Sequence, residues 1–144
     1  MNIYFACSVT GGRRDELVYQ KLVAVLQSSG HLVPTALLAS PDVMPLEGVV
    51  SAQDVYERDV HWIDECDFLL AEVSTPSHGV GYEIGYALSL GKRVLCLYRK
   101  GRKVSKMILG NPHPKLSIHT YEDPDQAVQL LITYLENITE AEAG

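Results

Sequence analysis

Long apolar runs, clusters of basic residues and spaced metal ligands are all scarce in this sequence of 144 residues. No run approaches the roughly 20 apolar residues that span a bilayer, so we expect no transmembrane helix. The formal net charge is −6, and no lysine/arginine cluster exceeds a few residues. Binding to long nucleic acid is therefore disfavoured, because it depends on neutralising many phosphates. A single phosphate is different, since local backbone N–H groups can hold it.

The three cysteines are Cys7, Cys66 and Cys96, and their spacing is not that of a metal site. Two of them fall inside predicted strands, which favours reduced, buried thiols and an intracellular setting. The first residues lack the basic region and apolar core of a secretory signal. We expect a cytoplasmic protein, with a nuclear location as the alternative in a eukaryote. Neither a metal nor another cofactor is expected.

Strand-like runs alternate with amphipathic segments along the chain, which predicts an α/β fold. We expect a single-domain, doubly wound, flavodoxin-like or Rossmann-like fold, with a five-stranded parallel sheet and helices on both faces. The predicted strands are 2–9, 31–38, 67–73, 93–99 and 116–121, and the predicted helices are 15–28, 52–65, 82–91 and 123–137. Residues 1–138 form the predicted catalytic domain and 139–144 a frayed tail. Residues 39–50 read as a loop that could close as a lid.

A loop of small residues, 74–81, joins an apolar strand to a helix. The start of a helix presents free backbone N–H groups and suits a phosphate. A second small-residue loop, 8–13, follows the first strand. Since parallel strands end at the same edge of a sheet, both loops should border one pocket. Taken alone, each loop is also explained as ordinary turn and capping chemistry.

Two carboxylates draw attention near these loops. Glu83 lies within the first turn of its helix, where a glutamate usually complements the helix dipole. Asp59 interrupts the apolar face of helix 52–65, which is costly unless it is paired or functional. A backbone N–H or an arginine partner would explain Asp59 structurally. An acid beside a phosphate loop instead suggests a phosphorylated substrate whose chemistry happens close to the phosphate.

Several motifs occur together and in a recognisable order. They are Tyr4-Phe5-x-x-Ser8-x-x-Gly11-Gly12-Arg13, Asp59 followed by Trp62, Ala71-Glu72-Val73, Ser77-x-Gly79-Val80-Gly81-Tyr82-Glu83-x-Gly85 and Lys92-Arg93-x-Leu95-Cys96-Leu97. This set resembles the 2′-deoxynucleoside 5′-phosphate N-hydrolases, which group with the nucleoside 2-deoxyribosyltransferases. The likeness extends from residue 3 to about residue 135, and the segment 79–85 is its most specific part.

The resemblance implies hydrolysis of the N-glycosidic bond of a deoxynucleoside monophosphate, giving free base and 2-deoxyribose 5-phosphate. Glu83 would be the nucleophile and would carry a covalent glycosyl intermediate. Asp59 would help to protonate the departing base, and Tyr4 would position Glu83 and the sugar. In such retaining enzymes the two carboxyls lie roughly 5 Å apart. Their repulsion is expected to raise the pKa of Asp59, the proton carrier.

The resemblance also implies a set of substrate-binding residues. They are Ser8, Thr10, Gly11, Gly12, Arg13, Ser77, Gly79, Ser105 and Met107. Ser77 and Gly79 would bind the 5′-phosphate, and Met107 would line the base pocket. Ser105 would reach the phosphate from a neighbouring subunit, so a homodimer is expected. Thr10 and Ala36 stand where the mammalian relatives carry an arginine and a histidine, so no preferred base is predicted.

Three alternatives remain at this point. A nucleoside 2-deoxyribosyltransferase would act on unphosphorylated nucleosides, whereas Ser77 and Ser105 favour a phosphorylated substrate. A ribonucleotide N-glycosidase of the CMP type would differ mainly in room for a 2′-hydroxyl. A non-catalytic nucleotide-binding module is disfavoured by the two carboxylates, because extra negative charge weakens binding of a phosphate.

Overall fold

The computed structural model describes residues 1–9, 14–40 and 48–143, which form one parallel sheet with helices packed against it. In chain order the elements are β1 Ile3–Ala6, α1 Glu16–Ser28, a 3-10 helix Ala36–Ala39, α2 Ala52–Glu65, β2 Phe68–Glu72, α3 His78–Ser89, β3 Arg93–Arg99, α4 Lys106–Leu109, β4 Leu116–Tyr121 and α5 Pro124–Ala143. The strands are all parallel and follow the order β1-β2-β3-β4. The predicted α/β fold with a parallel sheet is confirmed.

The predicted number of strands is wrong, because the described sheet has four strands rather than five. The segment 31–38 makes only an isolated parallel bridge, between Leu32 and Asn2. Pro34 then removes a backbone donor, and the chain turns into the 3-10 helix. The Phe5 N–H donates at 2.9 Å to the Thr35 hydroxyl rather than to a strand carbonyl. At this position a side-chain hydrogen bond therefore takes the place of a backbone hydrogen bond from a neighbouring strand.

Alternation along the strands divides the core into two clusters, one on each face of the sheet. Phe5, Leu70 and Leu95 pack with α1 and α5, whose buried residues include Leu22 and Leu131. On the opposite face, the alternate strand residues pack against α2 and α3; they are Tyr4, Leu69, Ala71, Val94 and Cys96. Tyr4 is therefore directed toward the two helices that carry the predicted acids. Helices cover both faces, as predicted.

The last helix is longer than predicted. It continues to Ala143 instead of ending at Asn137, so residues 139–143, expected to form a frayed tail, are helical. Ile138 is buried on its inner side, and Glu142 pairs with Arg93 at 3.0 Å. These contacts stabilise the final turns. Within the described part of the chain, no helix is long and apolar enough to cross a membrane.

Candidate active site

A cleft of about 500 Å³ opens at the carboxyl edge of the sheet. The end of β1, helix α2 and the start of α3 supply its walls. Much of the lining is apolar, and the polar exceptions include Asp59, Ser77 and Glu83. Thus the two predicted acids and the predicted phosphate loop border one cavity. This is the location expected for a ligand in an open parallel sheet.

Tyr4 contacts Glu83, one of the two acids that line the cleft. It belongs to β1, an edge strand of the described sheet, and is completely buried. Its hydroxyl donates a short hydrogen bond to Glu83 Oε2. Burial, with the charge of Glu83 beside it, raises the pKa of Tyr4 well above its ordinary range. The phenol therefore stays protonated and donates its hydrogen bond to the Glu83 carboxylate.

The surroundings of Glu83 raise the pKa of its carboxyl group. Burial raises its pKa from 4.5 to about 7, and the neighbouring charge of Asp59 adds to the rise. The Tyr4 hydrogen bond and the Arg58 charge act in the opposite direction. Near neutral pH the side chain therefore populates both states. A poorly solvated carboxylate of this kind is well suited to attack an electrophilic carbon or to take up a proton.

Asp59 faces the same cleft and has an arginine partner. Its Oδ1 accepts from Arg58 Nε at 2.9 Å, and both side chains are mostly buried, with 19% and 24% exposed. The Arg58 guanidinium also lies 5.0 Å from the centre of the Trp62 ring. The arginine partner considered from the sequence is therefore present, yet Asp59 still lines the cleft with Glu83.

The raised pKa that the structure shows is that of Glu83, and its main cause is burial. The raised pKa expected for Asp59 stays a prediction. Arg58 was not singled out from the sequence as a site residue. Its signal was present, since Arg58 directly precedes Asp59 and lies four positions before Trp62, the spacing of neighbours on one helix face.

The start of α3 forms one rim of the cleft. Ser77 caps the helix, and its hydroxyl oxygen accepts from the Val80 N–H at 3.3 Å. The preceding N–H groups, at His78 and Gly79, have no acceptor within the helix. Among the described residues, a Cβ added at Gly79 would meet only the Ser77 hydroxyl, at 3.9 Å. Packing against this part of the chain therefore does not require glycine, whereas a ligand close to the backbone would.

Ser105 and Met107 lie away from the cleft. They line a second hollow, of about 420 Å³, on the other flank of α3, which shares Ser77 and Tyr82 with the cleft. The Ser105 hydroxyl caps α4 by accepting from the Met107 N–H at 3.2 Å. Met107 is 84% exposed. Within one chain, neither residue is brought to Glu83.

The other predicted binding residues divide into two groups. Ser8 is fully buried beyond β1 and is not among the residues that line the cleft. Thr10, Gly11, Gly12 and Arg13 lie outside the described residues, as does 41–47, most of the loop predicted as a lid. Their roles stay predictions.

All three cysteines are free and buried, as predicted for Cys7 and Cys96. Burial raises the pKa of Cys66 to about 11 and that of Cys96 to about 12. Their thiols are therefore protonated at neutral pH and are poor nucleophiles. Among the residues that the structure describes, no group of three or more histidine, cysteine, aspartate or glutamate side chains is arranged to hold a metal ion.

Comparisons with known proteins point to one family. Residues 3–131 match the sequence pattern of the family described as nucleoside 2-deoxyribosyltransferase. A zebrafish (Danio rerio) protein named 5-hydroxymethyl-dUMP N-hydrolase is 38% identical, over 96% of this chain and 99% of its own length. A Methanosarcina mazei protein named, provisionally, 2′-deoxynucleoside 5′-phosphate N-hydrolase 1 is 34% identical, over 93% of this chain and 83% of its own.

A solved structure shares the fold. The CMP N-glycosidase of Clostridium botulinum aligns with a TM-score of 0.70, covering 92% of this chain and 98% of that one. The two sequences are 21% identical. At that identity the likeness concerns the arrangement of the sheet and helices.

Proposed function

The chain belongs to the nucleoside 2-deoxyribosyltransferase family, and we propose that it hydrolyses the N-glycosidic bond of 2′-deoxynucleoside 5′-monophosphates. The products are the free base and 2-deoxyribose 5-phosphate. The observation that carries the proposal is the joint position of Glu83, held by Tyr4, and Asp59 on one cleft whose rim is the start of α3. The names of the two curated relatives agree with this reaction.

In the first step the Glu83 carboxylate attacks the anomeric carbon of the sugar. The bond from that carbon to the base nitrogen breaks, and its electron pair leaves with the base. Asp59 delivers a proton to the base, and a glycosyl ester remains on Glu83. The transition state has oxocarbenium character, which the adjacent negative charge stabilises. The Tyr4 hydroxyl keeps the attacking oxygen in place through its hydrogen bond.

In the second step water attacks the anomeric carbon and expels the Glu83 carboxylate. The proton released by that water returns to Asp59, which is then ready to protonate the next base. Arg58 holds the carboxylate of Asp59 in the cleft between these transfers. No redox or metal chemistry enters the balance of either step.

We place the phosphate at the end of the turn 74–79, beside Ser77 and Gly79. The free N–H groups and the positive end of the α3 dipole supply the attraction. A phosphate bound here would bring the attached sugar toward Glu83, one helical turn further on. This arrangement favours nucleotides over nucleosides and so favours the hydrolase over the transferase alternative.

Incubation with a panel of substrates tests the reaction. The panel contains deoxy- and ribonucleoside monophosphates and the corresponding nucleosides, and chromatography measures the released base. We expect release from deoxynucleoside monophosphates, and loss of several orders of magnitude in Glu83→Ala. Glu65→Ala, an exposed glutamate of α2, is the matched control. Sugar transfer to an added base would favour the transferase, release from CMP the ribonucleotide enzyme, and binding without turnover the non-catalytic module.

We further propose a homodimer in which Ser105 of one subunit contributes to the phosphate site of the other. Two large exposed side chains line the second hollow; they are Tyr82 and Met107. Such a cluster is typical of an interaction surface. Ser105 borders the same hollow as Ser77, so a second copy seated there would approach the phosphate turn.

Mixing two impaired variants tests this assembly. If the site is shared, Glu83 comes from one subunit and Ser105 from the other. A dimer of one Glu83→Ala and one Ser105→Ala subunit then has one site with both residues intact. After unfolding and refolding together, half of the dimers carry one intact site, so we expect about a quarter of the wild-type activity. Activity no higher than the mean of the two variants would contradict a shared site, and a monomer in sedimentation would contradict the dimer.

A further inference from the structure

A buried carboxylate, Glu72, lies behind the phosphate turn and takes no part in the two chemical steps. It is the last residue of β2 and is 0% exposed. Its Oε1 accepts from the Ser74 N–H at 2.6 Å, and its Oε2 accepts from the Ser74 hydroxyl at 2.9 Å. The Tyr121 hydroxyl, at the end of β4, donates a short hydrogen bond to Oε2. Three donors therefore converge on this one carboxylate.

Ser74 is held from further directions. Its hydroxyl oxygen accepts from the Arg99 N–H at 2.8 Å, and its carbonyl accepts from Arg102 Nη1 at 3.3 Å. These bonds tie the first residue of the turn to the end of β3 and to the loop that follows. With Glu72, they fix both the backbone and the side chain of Ser74.

The next residue, Thr75, is anchored by a second buried acid. Its hydroxyl donates at 2.9 Å to Asp15 Oδ2, and Asp15 is only 4% exposed. Arg102 donates to both oxygens of Asp15, at 2.8 and 3.3 Å. Pro76 then restricts the backbone immediately before Ser77. The first half of the connection from β2 to the helix cap is therefore held by Asp15, just before α1, by the end of β3 and by Arg102 in the loop that follows it.

From this geometry we propose that Glu72 is a positioning residue for phosphate recognition: through Ser74 it sets the position of Ser77 and the first N–H groups of α3. The inference rests on the proposed function. It concerns binding of the phosphate and not cleavage of the glycosidic bond, because Tyr4 and Asp59 hold the reacting region independently of this network.

Direct electrostatic attraction cannot be the role of Glu72. A second negative charge would repel a phosphate. A purely stabilising role is also a weak explanation, since buried ionic networks often stabilise no more than apolar side chains of the same volume. The explanation that remains is that Glu72 fixes the position of Ser74, because hydrogen bonds to a charged acceptor are directional and strong. Loss of the carboxylate removes both bonds between Glu72 and Ser74 and lets the turn adopt positions that bind phosphate less well.

Kinetics of Glu72 variants of the full chain test the proposal. For Glu72→Ala we expect the KM for a deoxynucleoside monophosphate to rise about ten- to a hundredfold, with kcat changed less than about threefold. The inhibition constant of inorganic phosphate should rise by the same factor as KM. That of the corresponding unphosphorylated nucleoside, used as a competitor, should stay unchanged. Glu72→Gln keeps an oxygen for the Ser74 N–H and should recover most of the affinity.

Two further variants control the comparison. Tyr121→Phe removes one donor but leaves both bonds between Glu72 and Ser74, so its KM should lie between those of the wild type and Glu72→Ala. Glu122→Gln changes an exposed acid at the same edge of the sheet, 67% exposed and paired with Lys100, and should leave KM unchanged. Circular dichroism and the unfolding temperature identify any variant that is not folded.

Several results would overturn the inference. Three results in folded Glu72→Ala would each exclude a phosphate-positioning role: equally weakened inhibition by phosphate and by the nucleoside, a fall in kcat alone, or an unchanged KM. If Glu72→Ala does not fold, a folded Tyr121→Phe variant with wild-type phosphate inhibition has the same consequence. Absence of base release by the wild-type protein would instead refute the proposed function, so the two failures are distinguishable.

Discussion

The substitution Glu83→Gln should abolish activity and also stabilise the protein. The substitution keeps the size of the side chain and an oxygen that can accept the Tyr4 hydroxyl, but removes the charge. We expect base release to fall by several orders of magnitude, because an amide oxygen does not replace a carboxylate nucleophile. We also expect a higher free energy of unfolding in alkaline solution, because the wild-type fold holds an ionised carboxylate in a poorly solvated place.

The magnitude follows from the pKa of Glu83, which burial raises from 4.5 to about 7. At about 1.4 kcal/mol per pH unit, ionisation destabilises the folded protein by at most about 3.5 kcal/mol. Water in the cleft reduces this figure, so we expect about 2 kcal/mol. The folded state has the higher pKa and binds an extra proton between these two values. The wild type therefore gains stability as the pH falls through 7, and Glu83→Gln lacks that gain.

Urea unfolding over a range of pH measures the difference. The advantage of Glu83→Gln should be complete above about pH 8, shrink through neutral pH and vanish near about pH 4. Glu65→Gln, at an exposed position, should follow the wild-type curve throughout. The reasoning about Glu83 would be refuted if Glu83→Gln and the wild type differed by the same amount at every pH, or if the variant released base at the wild-type rate.

Three further predictions concern neighbouring groups. Tyr4→Phe removes the hydrogen bond that lowers the pKa of Glu83, so the acid limb of the kcat/KM profile should move to higher pH; an unmoved limb would contradict that role. Asp59→Asn should lose less activity than Glu83→Ala, about 10²- to 10⁴-fold, and least for good leaving bases; a uniform loss would count against proton delivery. Gly79→Ala meets no close contact from the residues that the structure describes and should fold with unchanged or higher stability in thermal unfolding, but its KM for nucleotides should rise; unchanged KM would place the phosphate elsewhere.

The elements with a strong local pattern were predictable from the sequence. Helix α2 has the predicted bounds, 52–65, because the Ser51 side chain caps it and an apolar stripe continues to Cys66. Strands β3 and β4 also begin and end where predicted, since turn residues delimit their apolar runs. The prediction of a strand at 31–38 was wrong because the Thr35 hydroxyl, rather than a strand carbonyl, accepts from the Phe5 N–H of β1. A β-propensity pattern does not reveal such a contact.

The sequence predicted which acids and which tyrosine meet at the site better than it predicted their pairing and pKa values. The order of motifs identified Tyr4, Asp59 and Glu83, and the structure brings them to one region. The distribution of charge depends on burial and on partners distant in sequence. Arg58 pairs with Asp59, and Glu72 meets Tyr121 from 49 positions away. Such contacts are set by the packing of the sheet, so one sequence alone could not assign them.

Mass spectrometry of the protein quenched during turnover tests the role of Glu83 most directly. The substrate is a deoxynucleoside monophosphate with fluorine at C2′, which destabilises oxocarbenium character and slows hydrolysis of the glycosyl ester. We expect a sugar-phosphate adduct on the peptide that contains Glu83, absent from Glu83→Gln. An adduct on another residue, or base release from ordinary deoxynucleotides at the wild-type rate by Glu83→Gln, would contradict it.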